Sequence, residues 1–184
     1  MSKLEFDILY AIQGIRSKPP DDIMLAITTV VGDYGYLWLA VGVLLLLFRK
    51  TRRCGAAVLL AYGITFVIGQ YVLKDLIARA RPCHIDETVE LLVKRPSSYS
   101  CPSTHTAWSF AAATAICCYF RKWGIVTFVV AAIIGFSRMY LFVHFPTDVL
   151  LGAVLGTLSA LAAVKIVNVV SDKLAARKAQ AKKA

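Results

Sequence analysis

Charged residues are scarce in this chain of 184 residues. Only 17% are Asp, Glu, Lys or Arg, whereas 58% are hydrophobic. This composition excludes an ordinary soluble domain, which would present more polar surface, and it is typical of an integral membrane protein. The first twenty residues also lack a continuous apolar run. We therefore expect no cleavable signal sequence and expect the spans themselves to direct insertion.

Acidic residues are few, 11 against 21 basic ones, which gives a net charge of +10. A basic chain can bind nucleic acid, but that role needs basic and aromatic residues interleaved on one face, and the sequence has no such face. The basic residues instead form clusters at 49–53, 121–122 and 173–183. Threaded through alternating spans, these clusters fall on one side, which predicts a multi-pass protein of the cytoplasmic membrane with a cytoplasmic C-terminus.

Apolar runs of about 20 residues predict the fold, because that length crosses the hydrocarbon of a bilayer as a helix. The runs cover residues 23–48, 55–73, 104–120, 124–142 and 147–170. They are too long and unalternating for barrel strands. The sequence therefore predicts an all-α transmembrane bundle of about five to six spans over residues 21–170, followed by a basic cytoplasmic tail over 171–184. Residues 32–35 interrupt the first run, which is either one span with a local break or two helices.

Residues 1–20 form a separate N-terminal segment. Its apolar side chains fall on one helical face, at Leu4, Ile8, Ala11, Ile12 and Ile15. This spacing predicts a short amphipathic helix that lies in the membrane interface. A lead-in helix with no role toward lipid is the alternative.

Ionisable residues at the junction of the last two apolar runs indicate a site. Arg138, His144 and Asp148 stand there, although an Arg or Asp at a helix centre in a membrane costs roughly 2.5 to 3.5 kcal/mol. Pro146 predicts a helix start near residue 145, which places Asp148 in the first turn, within hydrogen-bond reach of His144. A carboxylate there would fix the tautomer of an attacking histidine. The alternative is that Asp148 only caps the helix.

Two further segments are predicted at the same outer end of the bundle. Lys74 and Arg81 are seven residues apart, two turns of one helix that Pro82 is expected to end, so we expect both on one face. We attribute Arg79 to snorkelling toward lipid phosphates. Ser103 and His105 open the next apolar run, and helix N-termini bind anions.

This inventory of cations, helix N-termini and two histidines suits a phosphate ester, with one histidine attacking phosphorus and the other protonating the leaving oxygen. The chemistry requires no metal or other cofactor, and the histidine spacing favours no metal site.

The three segments resemble the signature of the type-2 phosphatidic-acid phosphatase superfamily, the lipid phosphate phosphatases. In this chain they read Lys74 with Arg81-Pro82, Pro102-Ser103-Thr104-His105, and Ser137-Arg138 with His144 and Asp148. The order and the internal spacings match. One position departs, because Thr104 stands where the family has glycine.

The resemblance implies a lipid phosphatase whose nucleophile is His144, oriented by Asp148 and forming a phosphohistidine, with His105 as general acid. It also implies a set of phosphate-binding residues: Lys74, Arg81, Ser103, the backbone of Thr104, and Arg138. The expected substrate is a membrane lipid phosphate at the extracytoplasmic face, with phosphatidate, phosphatidylglycerophosphate and undecaprenyl diphosphate as candidates.

Two other functions stay open at this point. A lipid phosphotransferase would use the same site. A transporter is disfavoured because the charges cluster at one face instead of running through the bilayer. The sequence does not indicate an oligomeric state.

Cys83 and Cys101 adjoin the first two segments on the predicted outer side. Since that side can face an oxidising compartment, one hypothesis is that these two cysteines form a disulfide.

Overall fold

The structure, a computed structural model, describes residues 3–31 and 35–181, and these form helices joined by turns and one long loop. The predicted all-α fold is confirmed for this part of the chain. The helices are α1 (Lys3–Gly14), α2 (Lys18–Val31), α3 (Tyr36–Leu47), α4 (Arg52–Phe66), a π-helical segment (Val67–Leu73), α5 (Lys74–Ile77), α6 (Pro82–Ile85), α7 (Thr104–Tyr119), α8 (Arg121–Tyr140) and α9 (Pro146–Ala181).

In the described part of the chain, three helical stretches are long and apolar enough to cross a membrane: Arg52–Ile85, Arg121–Tyr140 and Pro146–Ala181. Helix α3 is a shorter apolar helix. The apolar run at 23–48 is divided between α2 and α3, and the interruption at Gly32, Asp33 and Tyr34 lies outside the described residues. The count of five to six spans stays a prediction.

Helix α7 forms the centre of the bundle. Helix α9 approaches it closely, because glycines of α9 face the α7 backbone. A Cβ on Gly156 of α9 would lie 2.0 Å from the carbonyl oxygen of Ala107, and one on Gly152 would lie 2.5 Å from that of Ser103. Only glycine fits at such distances. This packing brings the start of α9 beside the start of α7, where the Ser103 N–H donates to the Asp148 carbonyl at 3.0 Å.

The basic residues at 49–53, 121–122 and 173–181 lie at the opposite end of the bundle. Arg53 near the start of α4 pairs with Asp172 late in α9, at 3.0 Å. The predicted tail does not separate from the bundle helix, because α9 continues to Ala181. Residues 182–184 of that tail lie outside the described residues.

The predicted continuous helix through Lys74 and Arg81 is wrong. Helix α5 ends at Ile77, Ala78 takes a left-handed conformation with φ of 46°, and Pro82 begins α6 instead of ending the preceding helix. Proline suits this position, since the first turn of a helix does not need its missing N–H. Lys74 and Arg81 therefore belong to different elements.

Helix α1 packs Glu5 and Leu9 onto the bundle and turns its apolar face outward. Leu4 and Ile8 of that face are 66% and 38% exposed. An outward apolar face fits contact with lipid, and the interfacial position of this helix stays a prediction.

Candidate active site

A cavity of about 750 Å³ opens where α5, α7 and α8 meet the long loop after α6. Six of the eight predicted site residues line it: Lys74, Arg81, Thr104, His105, Arg138 and His144. The structure thus brings together residues from all three sequence segments.

Lys74 and Arg81 converge on Ser98, a residue of the long loop. The Lys74 Nζ donates to the Ser98 Oγ at 3.2 Å, and Arg81 donates to the Ser98 carbonyl at 2.7 Å and to its Oγ at 3.1 Å. Each cation is only 4% exposed. The two charges are adjacent because both bind this serine, although the helix between them is broken.

Arg138 supplies a third buried cation near the end of α8. Its guanidinium donates to the hydroxyl of Thr28 on α2, and at 3.1 Å to the hydroxyl of Ser137. Three basic side chains, Lys74, Arg81 and Arg138, therefore line the cavity, which suits a ligand that carries phosphate charge.

His144 follows α8 in a tight turn, in which Phe142 has a φ of 57°. The Arg81 Nη1 lies 3.1 Å from the His144 Nε2. Since a guanidinium can only donate, Nε2 is the acceptor and the ring proton is assigned to Nδ1. The lone pair of the imidazole therefore lies on the nitrogen beside the cations, where a phosphate would bind.

Burial is the largest influence on the imidazole of His144. It lowers the pKa of His144 to about 3, and the neighbouring charge of Arg81 acts in the same direction. The ring is therefore neutral at ordinary pH, which is the state that a nucleophile requires.

Asp148 lies behind His144, fully buried in the first turn of α9. Its Oδ2 is 3.7 Å from the His144 Nδ1, which is too long for the expected hydrogen bond. Among the described residues, that Nδ1 has no hydrogen-bond partner. The carboxylate also accepts from the Phe145 N–H at 2.9 Å. Both sequence interpretations of Asp148 thus hold in part, since it caps α9 and faces the imidazole.

His105 enters the cavity from the first turn of α7. Its ring lies edge-on to Trp108, with ring centroids 5.7 Å apart, and its carbonyl accepts from the Ser109 hydroxyl. Ser109 in turn accepts from the Trp38 N–H at 2.9 Å. These contacts fix the helix turn that carries His105.

Thr104 takes the place of the family's glycine beside the π-helical segment. A Cβ on Gly69 of that segment would lie 3.7 Å from the Thr104 Cγ2. The threonine methyl group therefore packs against a glycine, and Thr104 still lines the cavity.

A model of the PAP2 superfamily matches residues 37–172 of the chain. The chain belongs to the PAP2 superfamily. The resemblance noted in the sequence is thereby confirmed, and the matched range contains all three signature segments.

Individual PAP2 proteins match most of the chain. An undecaprenyl-diphosphatase of Sulfolobus acidocaldarius is 33% identical over 139 residues, covering 74% of this chain and 67% of the relative. A lipid A 4'-phosphatase of Bacteroides thetaiotaomicron is 30% identical over 169 residues, 85% of this chain and 73% of that protein. The crystal structure of Aquifex aeolicus LpxE aligns with a TM-score of 0.72 and 27% identity, over 89% of this chain and 96% of that one.

Ser103 is the predicted phosphate ligand that the structure places elsewhere. It is fully buried, and its hydroxyl accepts from the Thr106 hydroxyl at 2.9 Å. Its N–H donates a hydrogen bond to the Asp148 carbonyl. Ser103 therefore joins α7 to α9 behind the cavity wall, within the described residues.

The hypothesis of a disulfide between Cys83 and Cys101 is not supported, because both are free thiols. Cys83 packs in an apolar cluster with Leu9 and Phe142. Cys101 instead lies at the Asp148 carboxylate, and burial followed by this charge raises the pKa of its thiol to about 12. The two thiols thus lie in different environments, one in an apolar cluster and the other beside a carboxylate.

Sequence reasoning missed three polar residues. Ser98 binds two cations, Ser100 donates to the Asp148 Oδ2, and Arg79 donates to the Asp148 Oδ1 at 2.7 Å. Arg79 does not snorkel to lipid, as its side chain is only 17% exposed. The serine-rich end of the long loop was the one available signal for Ser98 and Ser100.

Proposed function

We propose that this PAP2 protein is a membrane lipid phosphatase that works through a phosphohistidine on His144. The observation that carries the proposal is the position of the His144 Nε2, which lies 3.1 Å from Arg81 in a cavity that is lined by three buried basic side chains. The names of its relatives, an undecaprenyl-diphosphatase and a lipid A 4'-phosphatase, support a lipid phosphate as substrate.

In the first step, the phosphoryl group binds among Lys74, Arg81 and Arg138. The Nε2 lone pair attacks phosphorus while the bond to the leaving oxygen breaks, and His105 gives that oxygen a proton. The imidazole becomes positively charged, and Asp148 stabilises this charge from the Nδ1 side.

In the second step, water replaces the leaving group. The neutral His105 accepts a proton from the water as it attacks phosphorus, and the bond from phosphorus to Nε2 breaks. Inorganic phosphate leaves, and both histidines return to their starting states. Every step uses side chains of the protein, so we propose that no metal ion takes part.

We place the cavity at the extracytoplasmic surface of the cytoplasmic membrane. The proposal rests on the basic clusters, which lie at the other end of the bundle and favour the cytoplasmic side. A lipid head group at the outer surface would then reach the cavity while its chains stay in the bilayer.

Phosphate release by the purified protein in detergent tests the mechanism. The substrates are undecaprenyl diphosphate, phosphatidate, phosphatidylglycerophosphate and a soluble phosphomonoester, each with EDTA. We expect release from at least one lipid, and its loss in His144→Ala and His105→Ala. His84→Ala is the control, because His84 is exposed on α6. Activity in His144→Ala, or its loss in EDTA alone, would contradict the mechanism.

A further inference from the structure

The N-terminal helix reaches the carboxylate behind the nucleophile. Glu5 of α1 is only 7% exposed, and its two oxygens accept from two residues of the site region. The Arg79 Nη2 donates to one oxygen at 2.6 Å, and the Thr147 hydroxyl donates to the other. Burying a carboxylate is costly unless it is paired and hydrogen-bonded, and Glu5 has both kinds of partner.

Arg79 connects Glu5 to Asp148. Its Nη1 donates to the Asp148 Oδ1 at 2.7 Å and to the Thr147 hydroxyl at 2.6 Å, while its Nη2 serves Glu5. The guanidinium also lies over the Phe145 ring, 4.1 Å from the centroid. A planar fork with two separate nitrogens holds two carboxylates in a fixed geometry, which the single ammonium nitrogen of a lysine does not provide.

The two carboxylate oxygens of Asp148 have different partners. Oδ1 binds Arg79, whereas Oδ2 faces the His144 Nδ1 and accepts from Ser100 and the Phe145 N–H. Fixing Oδ1 therefore sets the direction in which Oδ2 points. In the described part of the chain, neither Glu5 nor Arg79 lines the cavity.

We infer that Glu5 and Arg79 are positioning residues of this active site, which hold the Asp148 carboxylate against the imidazole of His144. The inference rests on the proposed function. Neither residue touches substrate, and both act through Asp148. The N-terminal helix is then part of the catalytic apparatus.

Charge explains why a second carboxylate is present. During attack the imidazole of His144 becomes positive, with the charges of Lys74 and Arg81 nearby, and Asp148 is the anion that balances it. Arg79 alone would neutralise Asp148. Burial raises the pKa of Glu5, but hydrogen bonds from Thr147 and Arg79 outweigh burial and lower it, so Glu5 stays charged. Glu5 therefore shares the charge of Arg79 and leaves more negative charge on Asp148.

Kinetics of two conservative variants test this inference. Glu5→Gln keeps the size of the side chain and removes the charge, and Arg79→Lys keeps the charge and removes the fork. We expect each to lower kcat on the order of tenfold, as for other residues that orient a catalytic group. KM should stay within about twofold, because substrate contacts are retained. The kcat of the double variant should be little lower than that of either single variant, since the two residues act as one unit.

Tyr10→Phe is the matched control on the same helix. Its hydroxyl donates to Asp86 at 2.7 Å, and its ring stacks on Phe6 and Phe142. The variant removes one tie between α1 and the long loop without touching Asp148. We expect its kcat to equal that of the wild type. A tenfold loss confined to the Glu5 and Arg79 variants supports the inference, and equal kcat in Glu5→Gln and Tyr10→Phe overturns it.

A measurement that needs no turnover separates this inference from the proposed function. The His144 Nδ1 is shielded from solvent, so its proton is observable by NMR in protein labelled with ¹⁵N-histidine. The chain has three histidines, and His144→Ala assigns the signal. We expect the resonance to move in Glu5→Gln and Arg79→Lys but not in Tyr10→Phe. If no lipid is hydrolysed, a moved resonance still supports the positioning role, and an unmoved one refutes it.

Discussion

The two ends of the bundle handle charge in opposite ways. At the cavity end, Lys74, Arg81 and Arg138 are each 4% exposed and Asp148 is fully buried. At the basic end, the side chains of the Arg53–Asp172 pair are 49% and 68% exposed. Taking charges out of water costs several kcal/mol per ion, whereas an exposed pair contributes about 0 to 1 kcal/mol. The buried charges therefore cost stability, and a role in catalysis explains why they are present. The exposed charges carry no such cost and need no such explanation.

Close packing does not distinguish the two ends. At the cavity end, a Cβ on Gly152 would lie 2.5 Å from the Ser103 carbonyl oxygen, and near the basic end one on Gly124 would lie 2.2 Å from the Cys117 Cα. Tight helix contacts hold the whole bundle together. Buried charge, unlike tight packing, marks the site.

The largest contrast is expected between Asp148→Asn and Asp172→Asn. Asp148→Asn removes the anion that faces His144, and comparable changes behind a catalytic histidine cost about ten-thousand-fold in kcat. It also leaves Arg79 with one carboxylate instead of two, so we expect destabilisation toward the low end of about 3 to 5 kcal/mol. Phosphate release and the Tm in detergent measure the two effects.

Asp172→Asn is the control for the same chemical change at the exposed end. We expect kcat to be unchanged and the stability loss to stay below about 1 kcal/mol. If the two variants had equal Tm and equal kcat, the contrast between buried and exposed charge would have no functional meaning.

The second contrast is between Gly152→Ala and Gly124→Ala. Each added methyl group overlaps a neighbouring backbone, so we expect both to lose stability by about 1 to 3 kcal/mol. Gly152 contacts the residue before Thr104, and its variant should also lower kcat per folded molecule. Gly124 is remote from the cavity, and its variant should keep kcat. If kcat fell in Gly124→Ala but not in Gly152→Ala, our assignment of the active site to the cavity end would be wrong.

The sequence predicted the long helices well. Helix α7 spans Thr104–Tyr119 where residues 104–120 were expected, and α9 begins at Pro146. These boundaries could be predicted because the length of an apolar run and the position of a proline can be read directly from the local sequence. The signature residues were accessible for the same reason, since their spacing lies in the chain itself.

The connection between α5 and α6 could not be predicted. Alanine has no preference for a left-handed conformation, so nothing at Ala78 indicates a break. The break is stabilised by distant contacts: the Ser100 N–H donates to the Arg79 carbonyl at 2.8 Å, and Arg81 binds Ser98. The partners of Arg79 lie 69 and 74 residues away in sequence. Such pairings follow from the tertiary fold and leave no mark in local spacing.

The smallest contrast concerns two histidines and pH. His144 lies between α8 and α9 with its pKa lowered to about 3 by burial first, whereas His84 is exposed on α6. The unfolded chain binds a proton at His144 below about pH 6.5, and the folded protein does not. Stability from this group is therefore complete above pH 6.5 and declines as the pH falls below it, by up to about 2 kcal/mol at pH 5. The Tm measured in detergent from pH 7.5 to 5 should fall less in His144→Gln than in the wild type, while His84→Gln follows the wild type. Parallel curves for all three proteins would mean that the imidazole of His144 takes up its proton in the folded state.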